Sequence, residues 1–132
     1  MKNRTVSAHR VWGVQEKLRQ IAELKLAELL RREQELLAEE SELLRYIGGD
    51  GLFAGVLSSN LARRLRKNSQ SLQETRRIQK LQEKLLLDRA ARAKVSERVV
   101  ELLGREARRE EEKRDLGEII EGLLSRSTAS FP

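Results

Sequence analysis

The sequence predicts an all-α protein: an elongated, antiparallel two-helix coiled-coil hairpin with a glycine-rich bend near residues 48–55. A short additional helix near the C-terminus is a variant of this architecture. Ala, Glu, Lys, Leu and Arg make up 79 of the 132 residues, above the roughly 50% that is typical of long helices and coiled coils. Apolar residues recur at helical spacing on both sides of the bend, and the single proline, which would break a helix, is Pro132.

The first helix is predicted from about Arg10 to Ile47, where apolar residues recur at i, i+3 and i+4. Three columns repeat every seven residues: Leu29, Leu36 and Leu43; Leu30, Leu37 and Leu44; and Leu26 with Ile47, interrupted by Glu33 and Glu40. Residues 1–9 lack this periodicity, so we expect a disordered N-terminus. A single helical-hairpin domain is expected at 10–125, followed by a tail at 126–132.

The bend is predicted from glycine content, because four of the eight glycines lie at positions 48, 49, 51 and 55. Glycine costs about 1 kcal/mol inside a helix and readily adopts positive φ, so the cluster indicates a helix cap followed by a tight reversal. The cluster lacks the acidic ligands of a calcium loop. It also lacks the terminal Lys-Ser/Thr of a phosphate-binding loop, which favours a structural turn.

The second helix is predicted to begin near residues 57–59. Its first apolar register consists of Leu61, Leu65, Asn68, Leu72 and Thr75. A three-residue step to Ile78 indicates a local irregularity of the coiled coil. The register then resumes through Ile78, Leu81, Leu85, Asp88, Arg92, Val95, Val99 and Leu102. It continues through the polar Glu106, Arg109 and Lys113 to Leu116, Ile120 and Leu123. The helix is expected to reach about Ser125, with a weak middle between Gly104 and Gly117.

The two predicted arms differ in length, which leaves part of the second one uncovered. Folding about residue 52 places Val11 near Ala93 and Leu18 near Leu86, so residues from about 95 onward have no intramolecular partner. A large exposed apolar stripe indicates an interface. We therefore expect a partner to bind the apolar residues of this overhang, which are Val95, Val99, Leu102, Leu116, Ile120 and Leu123.

The net charge of +6 resides in one segment. Residues 60–80 contain seven Lys or Arg and one acidic residue, Glu74, whereas residues 1–59 and 81–132 are each neutral. Balanced charges are typical of solvated coiled-coil faces, and a local excess is a candidate contact surface for anions. The candidate partner-binding residues of this basic segment are Arg63, Arg64, Arg66, Lys67, Arg76, Arg77 and Lys80.

The basic segment has four interpretations: contact with nucleic-acid phosphates, with acidic lipid or with an acidic protein surface, or a solvated face that only keeps the helix soluble. No aromatic residue is interleaved to stack bases, which argues against nucleic acid. The opposite face is expected in the hairpin interior, which argues against membrane insertion. A protein partner is therefore the functional interpretation that we favour.

Catalysis is not expected, because a two-helix hairpin offers no deep pocket in which polar groups converge. The chain has no cysteine, and its one histidine, His9, lies near the N-terminus. Catalytic triads and histidine- or cysteine-rich metal sites are therefore excluded. We expect no cofactor, no metal and no small-molecule substrate. The longest apolar run is three residues, against about 20 for a membrane span. No signal-peptide pattern is present, so we expect a cytoplasmic protein.

Three segments carry a resemblance to a known family: RQIAELKLAELLRREQELLAEESELL, LFAGVLSSNLARRLRKNSQSL and EARREEEKRDLGEIIEGLL. They resemble FliJ/YscO-type proteins, the small coiled-coil components of flagellar and type III export machines, over most of residues 10–125. The unequal arms and the glycines at 104, 117 and 122 depart from that pattern. The resemblance implies a cytoplasmic stalk, similar to the central stalk of rotary ATPases and peripheral at the flagellar base. It also implies that the partners are a hexameric export ATPase, an export gate and escort chaperones.

The leading hypothesis is therefore a non-enzymatic adaptor or stalk of the flagellar or type III protein export apparatus. One alternative is a generic coiled-coil scaffold that homodimerises through residues 95–124. Another is a basic hairpin that binds nucleic acid, for which duplex binding would be strongest at low salt.

Overall fold

The computed structural model describes residues 2–48 and 54–129, and it describes side chains for residues 3–48 and 59–127. Every described residue is helical. The first helix, α1, spans Lys2–Gly48 and the second, α2, spans Ala54–Ala129. The two helices pack against each other as a hairpin, which confirms the predicted fold class. Most of the predicted bend falls on residues 49–53, outside the described residues.

The contacts divide the chain into two units, each built from a piece of both helices. The first unit combines residues 1–16 with residues 91–132, and the second consists of residues 17–90. Helix α2 is continuous through Gly104 and Gly117, where the sequence predicted a weak middle. It also continues to Ala129, beyond the predicted end near Ser125.

The second unit is held together by a heptad seam, meaning the a and d positions at which each helix faces the other. Its α1 side consists of Arg19, Ala22, Leu26, Leu29, Glu33, Leu36, Glu40 and Leu43. Its α2 side consists of Leu61, Leu65, Asn68, Leu72, Thr75, Gln79, Gln82, Leu86 and Arg89. Leu36 is the most deeply buried large side chain, with 1% of its surface exposed.

Polar residues in this seam fix the alignment of the helices. The side-chain amide of Gln79 donates a 3.2 Å hydrogen bond to the backbone carbonyl of Leu29. Gln82 donates another of 3.2 Å to the carbonyl of Ala22. A helical carbonyl has a second lone pair, so it accepts such a bond without losing its backbone partner. Because the later α2 residue bonds the earlier α1 residue, the helices run antiparallel in this unit.

The predicted irregularity between Thr75 and Ile78 is wrong, because the seam continues in strict heptads through Gln79 and Gln82. The apolar register that was expected from position 78 onward lies one residue away from it. In this unit its members Ile78, Leu81 and Leu85 are exposed. Apolar spacing selected the column next to the seam, because several of the α2 residues that face α1 are polar.

In α1 as well, the buried residues differ from the most apolar columns of the sequence. Glu33 and Glu40, which interrupt an apolar column of the sequence, are half-buried seam residues. Leu30 and Leu44, which belong to one of the three apolar columns found in the sequence, are about half exposed. The arginine at position 76 lies near one of these seam carboxylates: its Nε is 3.9 Å from Oε1 of Glu33. The seam therefore tolerates charge at its edge, where a cation from α2 reaches it.

The first unit extends the pairing further than the sequence predicted. Helix α1 begins at Lys2 rather than near Arg10, so residues 2–9 are helical instead of disordered. The least exposed side chains of this unit continue the seam spacing, and they include Thr5, Ala8, Trp12, Gln15, Ala93, Ser96, Val100, Leu103 and Ala107. The prediction that residues from 95 onward lack an intramolecular partner is therefore wrong up to 107. Additional residues of α1, among them Asn3, Arg4, Ser7 and Ala8, lie along that stretch.

Candidate protein interface

Residues 108–127, which we call the exposed segment, have no buried or half-buried side chain. Isolated helices are marginally stable in water, and most helices in proteins depend on tertiary packing. Gly117 and Gly122 lower the helical stability of this segment by a further ~1 kcal/mol each relative to alanine. The segment nevertheless carries several exposed large apolar residues: Leu116, Ile119, Ile120, Leu123 and Leu124. A partner that covers them would supply the packing that α1 does not.

The six apolar residues that the sequence singled out all lie on one face of α2. We call the c and g heptad positions from Val95 to Leu123 the outer stripe; it consists of Val95, Val99, Leu102, Glu106, Arg109, Lys113, Leu116, Ile120 and Leu123. Its six apolar side chains are between 43% and 61% exposed. Their exposure agrees with the sequence prediction, and their role in binding stays a prediction.

An open groove in the first unit runs beside the outer stripe. It has a volume of about 640 Å³. Its walls come from both helices and consist of Asn3, Arg4, Ser7, Ala8, Val99, Leu102, Leu103 and Glu106. Val11 and Val14 lie one heptad after Arg4 and Ser7 on α1, and both are exposed. The apolar surface in this unit is therefore composite, with contributions from α1 that the sequence reasoning missed because it treated residues 1–9 as disordered.

All seven predicted cations of the basic segment are exposed. Two of them have acidic neighbours: Arg76 lies near Glu33, and Nε of Arg77 donates a 3.1 Å hydrogen bond to Oε2 of Glu74. This hydrogen bond, together with the positive charge of Arg77, holds the pKa of Glu74 below its ordinary value. Within the described part of the chain, the other five show no ion pair; they are Arg63, Arg64, Arg66, Lys67 and Lys80.

A second open groove, of about 500 Å³, adjoins the basic segment in the other unit. It is lined by Glu40, Leu44, Ile47, Ala62, Leu65, Arg66, Ser69 and Gln70. The groove was not predicted from the sequence, because Leu44 was grouped with the apolar columns of α1 and not with its exposed residues. The heptad frame is the signal that reveals it: with Leu43 at a d position, Leu44 falls at the flanking e position.

The described residues contain neither a cluster suited to a metal ion nor a helix suited to a membrane span. There, no group of three or more histidine, aspartate or glutamate side chains is placed to bind a metal. No described helix combines the length and apolar character needed to cross a membrane. The only histidine, His9, is exposed on α1 with its ring 6.3 Å from that of Trp12. The expectations of no enzymatic activity and no cofactor stay predictions.

The fold places this chain among two-helix coiled-coil hairpins, in which short-range composition is shared by convergence. No protein-family model matches the chain, and neither a curated protein nor a solved structure gives a significant match. The FliJ/YscO-type resemblance of its three segments stays an expectation.

Proposed function

We propose that this protein is a non-enzymatic coiled-coil adaptor that binds other proteins through the outer stripe of α2. One observation carries the proposal: six large apolar side chains lie on one helical face, outside the seam, and are about half exposed. Apolar surface of this extent on a helix is typical of a docking face for a partner helix or groove.

The size of the stripe sets how a partner must engage it. Complete burial of one Leu, Ile or Val side chain contributes about 1.5–3 kcal/mol, and these residues are already partly covered. Association costs about 4–15 kcal/mol in lost freedom of motion. A partner must therefore cover most of the stripe at once, which favours a helix that lies along it over a contact at a single point.

The specific form of the proposal is a stalk of the flagellar or type III export apparatus, following the FliJ/YscO-type resemblance. The export ATPase ring, the export gate and escort chaperones are the proposed partners, and the cytoplasm at the flagellar base is the proposed location. The exposed basic segment supports a contact with an acidic protein surface. Such charges chiefly increase the rate of encounter and the specificity.

The test is capture of a purified hexameric export ATPase by immobilised full-length protein. One variant replaces Leu116, Ile120 and Leu123 with serine. Another replaces the first four cations of the basic segment with glutamate; these are Arg63, Arg64, Arg66 and Lys67. Leu24→Ser and Leu87→Ser are matched controls, because both leucines are exposed and lie outside the stripe.

We expect the stripe variant to lose capture, and the basic-segment variant to weaken it most at low ionic strength, where charges are least screened. The two controls should bind as the wild type does. No capture by the wild-type protein would remove the export-stalk proposal. Equal capture by all variants would show that binding uses a different surface.

A further inference from the structure

We infer that the outer stripe of one copy packs antiparallel against the outer stripe of a second copy, with a twofold axis between residues 107 and 108 of the paired α2 helices. The inference rests on the proposed function, because it names one occupant of the same surface. It uses residues of the first unit only.

The stripe has the periodicity of a second coiled-coil seam. Its positions alternate steps of four and three residues from Val95 to Leu123, as the a and d positions of a heptad do. The intramolecular seam of this unit already occupies one such set on α2, ending near Ala107. A second set maintained over four heptads on an exposed face is the pattern that a further helix would recognise.

The proposed axis brings apolar side chains together. In an antiparallel coiled coil, each a-type position faces a d-type position of the other helix. With the axis between residues 107 and 108, Val95 of one copy faces Ile120 of the other, and Val99 faces Leu116. Twofold symmetry repeats both layers, so four apolar layers flank the centre.

The polar middle of the stripe fits the same register. Glu106 of one copy faces Arg109 of the other, and symmetry gives a second such ion pair at the axis. Leu102 faces Lys113, whose aliphatic stem covers apolar surface while its ammonium group reaches water. The three charged residues that divide the apolar stripe thus become complementary once a second copy is present.

Other registers lose this complementarity. Moving the axis by half a heptad toward the C-terminus opposes Arg109 to Lys113. Moving it by the same amount toward the N-terminus opposes Leu102 to Glu106 and Val99 to Arg109. In a parallel, in-register pair, each charged residue would face the identical residue of the other copy. Like charges directly opposed across a helix pair are unfavourable, so the antiparallel register centred at 107–108 is preferred.

Charge complementarity extends beyond the stripe to the start of α1. The first turn of α1 contains no acidic residue, and it contributes Asn3 and Arg4 to the 640 Å³ groove. In the proposed register, Glu110, Glu111 and Glu112 of the second copy lie level with residues 103–105, at the end of this groove. Negative charge near a helix N-terminus is stabilising. Residues 110–121 carry a net charge of −4, against +2 for residues 2–16.

The arrangement is closed and reciprocal. The exposed segment of each copy lies along the groove of the other, so the two uncovered surfaces of the unit cover each other. This pairing would also supply the tertiary packing that residues 108–127 lack within one chain.

The test is sedimentation equilibrium of the full-length protein, wild type beside two single variants and one double variant. In a Glu106→Arg dimer, both symmetric pairs at the axis place an arginine against an arginine. In an Arg109→Glu dimer, both pairs place a glutamate against a glutamate. We expect each single variant to weaken dimerisation about tenfold or more. The double variant Glu106→Arg/Arg109→Glu restores both ion pairs and should dimerise as the wild type does. Mixing the two single variants should give a heterodimer, in which both pairs are again complementary.

A second measurement reports the register directly. The chain contains no cysteine, so Val99→Cys/Leu116→Cys should form an intermolecular disulfide under mild oxidation. Val99→Cys/Leu123→Cys is the matched control and should cross-link much less. Because Glu106 and Arg109 are exposed, circular dichroism should show that the charge variants stay helical.

The outcomes separate this inference from the proposed function. A protein that stays monomeric at every concentration, yet is captured by the export ATPase through the stripe, overturns only the dimer. A dimer that both single variants leave unchanged, or that cross-links better through the control pair, overturns the register. A dimer that behaves as expected while no export partner is captured supports the inference and removes the export-stalk proposal.

Discussion

The side-chain amide of Gln79 donates a 3.2 Å hydrogen bond to the backbone carbonyl of Leu29, a residue 50 positions earlier in the chain. Gln82 makes the equivalent bond to Ala22, at a separation of 60 positions. A shift by one residue would break both bonds and move Leu72 out of the seam. Apolar contacts alone discriminate poorly between different alignments of two helices. The amides of Gln79 and Gln82 therefore determine the alignment that α1 and α2 adopt.

In contrast to Gln79 and Gln82, Asn68 has a side-chain amide without a hydrogen-bond partner, and it gives the first prediction. It is 4% exposed, and neither polar atom of its side chain has a hydrogen-bond partner in the structure. An unsatisfied buried polar group costs about 1–3 kcal/mol. We expect Asn68→Leu to raise the free energy of unfolding by about that amount in urea titrations. Gln79→Leu is the control: because its amide is satisfied, the same change should stabilise less or destabilise.

Two leucines from neighbouring heptad columns of α1 give the second prediction. Leu36 is 1% exposed, whereas Leu30, which belongs to another of the three apolar columns found in the sequence, is 48% exposed. Truncation of a buried leucine costs about 2–5 kcal/mol, so we expect Leu36→Ala to lower the free energy of unfolding by that amount. Leu30→Ala should cost less than about 1 kcal/mol. Similar losses at both positions would contradict the seam described for residues 17–90.

The sequence was sufficient for the fold class because that depends on features that many residues share. Helical periodicity, the near absence of proline and one glycine cluster all point to a hairpin. The apolar residues of the outer stripe were also predictable. Leu, Ile and Val recur there at helical spacing, and this spacing is visible without knowledge of the opposite helix.

The alignment of α2 was not predictable from apolar spacing alone. Its seam uses Gln79, Gln82 and Arg89, while the more apolar Ile78, Leu81 and Leu85 lie outside. A search for periodicity selects the most apolar column, and here that column is not the one facing α1. The hydrogen bonds that favour the polar column depend on the backbone of the other helix, so no pattern within α2 encodes them.

The start of α1 was missed for a related reason. Thr5 and Ala8 continue the seam spacing, but a threonine and an alanine give little apolar signal. The groove in the first unit is lined by Ala8 and its neighbours Asn3, Arg4 and Ser7, and so it was missed as well. Small and polar residues at seam positions can be recognised as packed only when the position of the opposite helix is known.

The glycines of the exposed segment give the third prediction. A Cβ added at Gly117 or Gly122 would meet no atom within 4 Å, so alanine fits at both positions. Alanine is favoured over glycine in a helix by about 1 kcal/mol. We expect Gly117→Ala/Gly122→Ala to slow amide hydrogen exchange within residues 108–127, with little change in residues 17–90. Unchanged exchange in the segment would contradict the view that the two glycines limit the stability of its helix.

The ion pair between Glu74 and Arg77 gives the fourth prediction, which concerns pH. The hydrogen bond from Arg77 lowers the pKa of Glu74 in the folded protein. The stabilisation is therefore complete above the ordinary carboxylate pKa, and it is lost as the pH falls through the lowered folded value. Since the pair is exposed, the effect should be small. We expect the wild type to lose slightly more stability than Glu74→Gln on acidification, as measured by thermal unfolding between neutral and acidic pH.

Three consecutive leucines of α2, at positions 85–87, differ in whether they face α1, and they give the last prediction. Leu86 lies in the seam, whereas Leu85 and Leu87 are 39% and 72% exposed. Successive helical residues are rotated by about 100°, so only one of the three faces α1. We expect Leu86→Glu to destabilise by about 2 kcal/mol or more, since it places a charge in the seam. Leu87→Glu should be nearly neutral, and Leu85→Glu should cost little. Urea titrations of the three variants measure the differences directly; if Leu85→Glu proved the most damaging, the apolar column predicted from the sequence would face α1 after all.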